Sequence, residues 1–478
     1  MKYLKYITII TFILSLSACS KKVMDKINKD LNDPTEVPAA TELPSAIVET
    51  AFGTTGTDLA WYSSLFVEQS AGADEQFYDA DRRSSLTAAS LVNNSWNSIY
   101  DNLMVLKDIR DKTATSGSEP NPALLGMAQV LTAYNLAVAT DMWGDIPWSE
   151  ALMGNDNVHP KFDSQEDVYK SIFQLLNDAI SNLSGASGSS LSAQDLIYSG
   201  NTGKWVKAAW SLKARYFMHL QRVVPTAVDS VLACVPKGFS AASDAFVFDK
   251  YEATPIGSNP WFYFTYNERG DLVTGQTLYD LMTARNDPRT TAYFEPINSA
   301  GKIAAAPNGD ADRTRAGNGL YSYSAITAGS EDDATVATPM MTYHELLFLQ
   351  TEALARKGSD FQPALQAAIE ANFVFHGLTV ADADAYFTTE VLPRLGASLS
   401  ANLQEIMTQK YIAMYEQESI EVYNDYRRTG IPTMHNPNND AASYGFPQRF
   451  PYPSSEVTAN PANVPAVNIF KDKIWWAK

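Results

Sequence analysis

Four stretches of the chain repeat apolar residues at three- and four-residue steps, the spacing that gathers them on one face of a helix. In SQEDVYKSIFQLLNDAISNL (164–183) they are Val168, Ile172, Leu175, Leu176 and Ala179. Ser164 followed by Asp167 predicts a capped start there. In WVKAAWSLKARYFMHLQRVV (205–224) they are Trp205, Ala209, Leu212, Tyr216 and Leu220. YHELLFLQTEALARKG (343–358) places Leu346, Leu349, Ala353 and Arg356 in register and stops at Gly358. LQEIMTQKYIAMYEQESIEVYNDYRRTGIP (403–432) predicts one long helix with Ile406, Tyr411, Met414 and Tyr415 on one side. Gly430 and Pro432 close it, and Arg427 and Arg428 suit the negative end of its dipole. A further apolar helix, LLGMAQVLTAYNLAV (124–138), should end near Gly144. Between the helices lie segments 236–275, 296–338 and 432–472, rich in Gly, Pro, Asn and aromatic residues. Irregular segments of that length usually carry function or are disordered. The pattern predicts a mostly α fold of stacked helix pairs with long aromatic loops and little β structure. No clean 34-residue repeat consensus accompanies it.

The N-terminus follows a different pattern. Lys2 and Lys5 precede an apolar run from Ile7 to Leu16. That run is far shorter than the roughly 20 residues a spanning helix needs, and fits the core of a secretory signal. It ends LSAC, with Ser17 and Ala18 before Cys19. This resembles the lipobox of bacterial lipoproteins, in which the cysteine is acylated and becomes the new N-terminus. Each buried methylene of such an anchor contributes about 0.8 kcal/mol, so attachment through several chains is effectively permanent. The expected organisation is a signal at 1–18, a lipidated polar tether at 19–40, and one domain at 41–478. No other stretch reads as a bilayer span.

Composition narrows the partners. The 478 residues carry 36 basic and 54 acidic side chains, a net charge of −18. Loss of Lys2 and Lys5 with the signal leaves 34 against 54, or −20. So acidic a body disfavours nucleic acid and anionic membrane surfaces. With Cys19 acylated, Cys234 has no partner and no intrachain disulfide is expected. The five histidines form no HxxxH or HExxH pair, and no GxSxG, P-loop, GxGxxG or DxDxDG pattern occurs. No metal or cofactor is therefore expected. The densest carboxylates, Asp141, Asp145 and Glu150, fall on a helix end and a Gly-Asp-Ile-Pro turn, where structural roles outweigh glycoside hydrolysis.

Three strings at that corner and beyond carry a resemblance. TDMWGDIPWSEA (140–151), QKYIAMYEQESIEVYNDYRRTGIP (409–432) and the tail, QRFPYPSSEVTANPANV (448–464) with DKIWWAK (472–478), stand in order behind the lipobox. Together they resemble the SusD/RagB family of outer-membrane lipoproteins, with Trp148 where the family usually has Tyr. The resemblance implies one α-helical domain of tetratricopeptide-like helix pairs with a loop-rich face. It implies a non-catalytic lid over a SusC-like TonB-dependent transporter, facing the cell exterior, that captures a glycan or, in RagB-like members, a peptide. A surface glycoside hydrolase is the competing reading.

A glycan platform needs flat aromatic faces for the sugar C–H surface and planar polar groups for its hydroxyls. Two segments offer both. WYSSLFVEQSAGADEQFYDADRRSS (61–85) supplies Trp61, Gln76, Tyr78, Asp81 and Arg82. PIGSNPWFYFTYNERGD (255–271) supplies Trp261, Tyr263, Tyr266, Asn267 and Arg269. Its alternation predicts either a strand exposing Trp261, Tyr263 and Thr265 as a stacking ledge, or a plug packed on the scaffold. Trp96 is a further candidate, with a core anchor as the alternative.

Overall fold

The computed structural model describes residues 37–87, 91–312, 323–326, 331–416 and 418–478. The signal, Cys19 and most of the tether lie outside the described residues. The longer helices, in chain order, are α1 (Ala39–Glu49), α2 (Asp58–Phe66), α3 (Glu75–Asp81), α4 (Asn93–Thr113), α5 (Pro122–Trp143), α6 (Gln165–Leu183) and α7 (Thr202–His219). They continue with α8 (Ala227–Cys234), α9 (Gln276–Thr283), α10 (Tyr343–Arg356), α11 (Gln362–Phe375), α12 (Val380–Tyr386), α13 (Leu399–Ala413) and α14 (Ser419–Thr429). Ala39 and Ala40, placed at the end of the expected tether, belong to α1.

The helices pack as neighbours in sequence: α4 on α5, α5 on α6, α7 on α8, α10 on α11. Each pair hides an apolar stripe that neither helix could bury alone. The stripe predicted for α6 is buried as read, and the Ser164 side chain accepts from the Asp167 amide at its start. Most of the core is one continuous cluster; a second, built on Phe348, Leu365, Phe373 and Ile406, lies under α10–α13. Strand structure is slight. β1 (Ser70–Gly72) pairs antiparallel with β3 (Leu272–Thr274), and β2 (Phe246–Phe248) with β4 (Thr338–Met341).

Two expectations need correction. Helix α5 is long and apolar enough to cross a bilayer, although no second span was expected from the sequence. It is instead the central core helix, buried nearly all round by α4 and α6. Its polar side chains are satisfied internally: Asn135 accepts from the Thr54 hydroxyl (2.6 Å) and donates to Thr50 Oγ1 (2.9 Å), to which Asn102 also donates (3.0 Å). Such a network fixes the register of α1, α4 and α5 because any slip strands a buried amide. The long helix predicted over 403–432 is two helices, α13 and α14. Between them Glu416 adopts φ 71°, and Glu418 accepts from the Thr342 amide and hydroxyl at the start of α10.

Candidate functional site

The TDMWGDIPWSEA string forms a rigid corner. Helix α5 ends because Gly144 turns with φ 80°, a left-handed value that glycine tolerates. A Cβ there would also meet the Arg449 guanidinium at 3.1 Å. Asp145 then accepts from the Gln165 amide at the start of α6 (2.9 Å). Asp163 accepts from the amides of Trp148 and Ser149, holding residues 147–149 against α6. The C-terminal tail closes the corner from above. Phe450 donates its amide to Met142 O, Trp143 its indole N–H to Pro451 O, and Tyr452 its hydroxyl to Asp145 O.

Against this corner lies an open groove of about 460 Å³. Its floor is Trp96 and Tyr100 of α4, and its walls are Pro147, Ala151, Leu152, Pro160 and the tail residue Glu456. Asn97 and Asp101, both exposed, stand on the rim. Trp96 is held by Tyr100 (ring centroids 4.8 Å) and by Trp143 edge-on (5.0 Å). Tyr100 donates its hydroxyl to Pro147 O (2.7 Å). Asn460 fixes Glu456 through a 2.9 Å bond and also binds Pro160 O. The result is an aromatic floor edged by two carboxylates and an amide. Such a surface can lie under a sugar face and bond its hydroxyls. Trp96 is only 4% exposed, so it backs the floor while Tyr100, half-buried, offers more of its surface. Asn97, Tyr100 and Asp101 follow Trp96 at helical spacing and could have been read from the sequence. Nothing local could have brought Glu456 to them.

The other candidates divide. Tyr78, half-buried, and Gln76, exposed, sit on α3, and Arg82 lies over the Tyr78 ring at 5.3 Å while reaching Gly309 O and Asp310. Tyr78 and Arg82 form a second surface patch, and Gln76, two residues from Tyr78 on the helix, points away from it. Asp81 does not join it. It is fully buried and accepts from the amides of Gly72 (3.1 Å) and Gly309 (2.8 Å) and from the Asn436 side chain, tying three loops together. Burial pushes its carboxyl up to about 7, with Arg83 acting against the rise.

The segment around Trp261 is a plug, not a ledge. Asn259 caps Pro260–Phe262 by accepting from the amides of Trp261 and Phe262, and the turn continues helically through Tyr263–Glu268. Asn-Pro is a helix-start pair, which overrides the two-residue alternation. Trp261 and Thr265 are buried and Tyr263 is half-buried. Phe264 packs on Trp61 at 4.3 Å and edge-on to Phe77. Trp61 is therefore core as well. Arg269 is exposed beyond the plug. Tyr266 and Asn267 belong to the same helical turn, and their side chains lie outside the described residues.

The carboxylates weighed for catalysis are engaged in the fold. Asp141 accepts from the Tyr169 hydroxyl (2.6 Å) and the Trp476 indole (2.8 Å). Glu150 pairs with Lys161. Asp141, His219 and Glu421 do bring ligand-type atoms within 4.8 Å of one another. Their arrangement suits a proton rather than a metal. The imidazole stands between the carboxylates, Nδ1 towards Asp141 (3.3 Å) and Nε2 towards Glu421 (2.9 Å), filling the place an ion would need. Burial alone would lower the His219 pKa; Glu421 and Asp141 outweigh it and hold the imidazolium up to about 9.

The comparisons agree with this architecture. The family model for SusD-like proteins, described as starch-binding and associating with the outer membrane, matches residues 32–453. The chain belongs to the SusD/RagB family. A SusD/RagB-family protein of Bacteroides thetaiotaomicron is 32% identical, with 92% of this chain and 99% of that one aligned at a TM-score of 0.83. A chitin-binding protein (23% identical, 92% and 100% covered, TM-score 0.76) and a chitin-binding SusD homologue of Flavobacterium johnsoniae (20%, 92% and 98%, 0.75) share the fold. No curated protein sequence matches. The SusD-like fold of this chain is thus the helical, tetratricopeptide-like one expected, in a nutrient-binding family associated with the outer membrane.

Proposed function

We propose that this SusD-like chain is a lipoprotein, anchored through Cys19, that captures an oligosaccharide or polysaccharide and hands it to a SusC-like TonB-dependent transporter without chemical change. The supporting observation is the groove over Trp96 and Tyr100. It is open, aromatic-floored, and rimmed by Asn97, Asp101 and Glu456. The patch of Tyr78 and Arg82 is proposed as an auxiliary contact for a longer chain. The body faces the cell exterior and pivots on the tether.

Gel retardation in chitin- and starch-derived glycans tests the reading. Asp101→Ala and Asn97→Ala alter exposed side chains, so folding should be kept while affinity falls by about tenfold, or 1.4 kcal/mol. Retardation equal to that of the parent protein would remove the groove from consideration. Product formation from any glycan would favour the hydrolase reading. Binding of peptides in place of every glycan would move the chain to the RagB-like class.

A further inference from the structure

The groove over Trp96 carries charge of one sign. Asp101 and Glu456 line it, and no lysine, arginine or histidine does. Asp101 is exposed and Glu456 half-buried, so a ligand can reach both. Among the described residues no ion pair engages either carboxylate, and Glu456 is held through the Asn460 side-chain amide instead. The lysines around the groove are taken: Lys161 by Glu150, Lys107 by Asp111, and Lys112 by Glu42 and Asp108 together. His159, next to Pro160 in the wall, is exposed and does not line the groove.

Two arginines remain nearby. Arg110 lies over the Trp148 ring (5.7 Å), and Arg449 is buried and donates to the hydroxyl of Tyr452, whose ring stands edge-on to Trp96. The amino end of α4 adds about half a positive charge. Against these stand Asp101 and Glu456 in the groove, Glu49 beside Asp101, Asp163 beside Tyr100, and Asp145 beside Tyr452. The balance is negative. Glu49 registers it: burial raises its carboxyl, a bond from Ser98 opposes the rise, and Asp101 adds to it.

We infer that the glycan captured in this groove carries free amino groups, an amino sugar whose ring lies on Tyr100 while its ammonium is met by Asp101 and Glu456. The inference rests on the groove being a glycan site and adds the charge of the ligand. An ammonium supplies only donors and an ionised carboxylate only acceptors, and bonds between them are stronger than those to a neutral hydroxyl. An N-acetylated sugar has no charge to offer. Uronic and sulfated sugars would bring an anion towards two carboxylates with no cation in the groove to receive it. Both carboxylates touch solvent, so each contributes only a fewfold in affinity.

The test is titration of the full chain with oligomers of glucosamine, of N-acetylglucosamine and of galacturonic acid, equal in length. The pH is chosen so that the ligand amines are charged and the carboxylates ionised. The glucosamine oligomer should bind about tenfold more tightly than the N-acetylated one, and the galacturonic oligomer most weakly. The preference should shrink towards parity in about 1 M sodium chloride, where the screening length is about 3 Å. Asp101→Asn combined with Glu456→Gln keeps the side-chain shapes and should bring the ratio of the two affinities to about one. Equal binding of the charged and neutral oligomers by the parent protein overturns the inference and leaves the glycan reading standing. So does a preference that survives both salt and the double substitution, or tighter binding of the galacturonic oligomer. Oligolysine bound as tightly as the glucosamine oligomer overturns it in favour of basic peptides. If no oligomer binds, the glycan reading fails and the inference with it.

Discussion

His219 has both ring nitrogens engaged by carboxylates in a buried site. Its pKa rises from 6.5 to about 9, so its contribution to stability is complete below the unfolded value and is lost as pH rises through about 9. Glu421 is shifted the other way, from 4.5 to about 2, chiefly by Arg215 and His219 acting against burial. Its contribution is complete above 4.5 and disappears as pH falls through about 2. The contribution of this pair should therefore be constant between about pH 5 and 6 and decline on both sides, while the buried Asp81 carboxyl, raised to about 7, makes the total stability fall as pH rises from about 4 to 7. His219→Gln should abolish the alkaline decline attributable to this group; an unchanged alkaline limb would refute the assignment. Trp261 supports a prediction of another kind. It is wholly buried, so Trp261→Ala should cost about 3–5 kcal/mol in denaturant unfolding, whatever it does to binding. Trp261, Trp61 and Asp81 have the chemistry of a sugar site, and chemistry was all that could be read from the chain. Their burial depends on rings and loops distant in sequence: Phe264 against Trp61, and Gly309 and Asn436 around Asp81.

Helix ends decide where the elements stop. The α5 terminus depends on Gly144, whose positive φ and closeness to Arg449 both oppose a side chain. Gly144→Ala should cost about 1–3 kcal/mol by equilibrium unfolding, and the same loss should appear as a shallower groove in glycan binding. At the other end, Asn121 accepts from the Leu124 amide, and Asn121→Ala should cost about 1 kcal/mol. Periodicity located the face of α6 because that helix hides one stripe; in α7 and α10 the apolar stripe is buried too, but so are polar residues on other sides, such as Ser211 and Arg215 or Glu345 and Glu352. It failed between α13 and α14. Both are buried on most sides, so the apolar pattern runs through the break, and the interruption comes from Glu418 reaching Thr342 on another helix.

At the scale of the whole molecule, the helix pairs and the family were legible because the corner, the arginine helix and the tail are local strings. The groove was only half legible. Its α4 face follows Trp96 at helical spacing, while its Glu456 wall arrives from the far end of the chain. The anchoring proposal is tested here as well. Cys19→Ser should move the protein from the membrane to the soluble fraction, and copurification with a TonB-dependent barrel should require the intact body rather than the lipid.

The tail has a consequence for how the chain is made. Asp141, Trp143 and Gln165 find their partners in Trp476, Pro451 and Trp475, about 300 residues downstream. A nascent chain emerging from its N-terminus carries a helix α5 whose end stays open until those residues follow. On the export route proposed above, this would postpone final closure until threading is finished. Release of a chain ending before Gln448 should accordingly yield a protease-sensitive species, with closure restored when the missing tail is supplied.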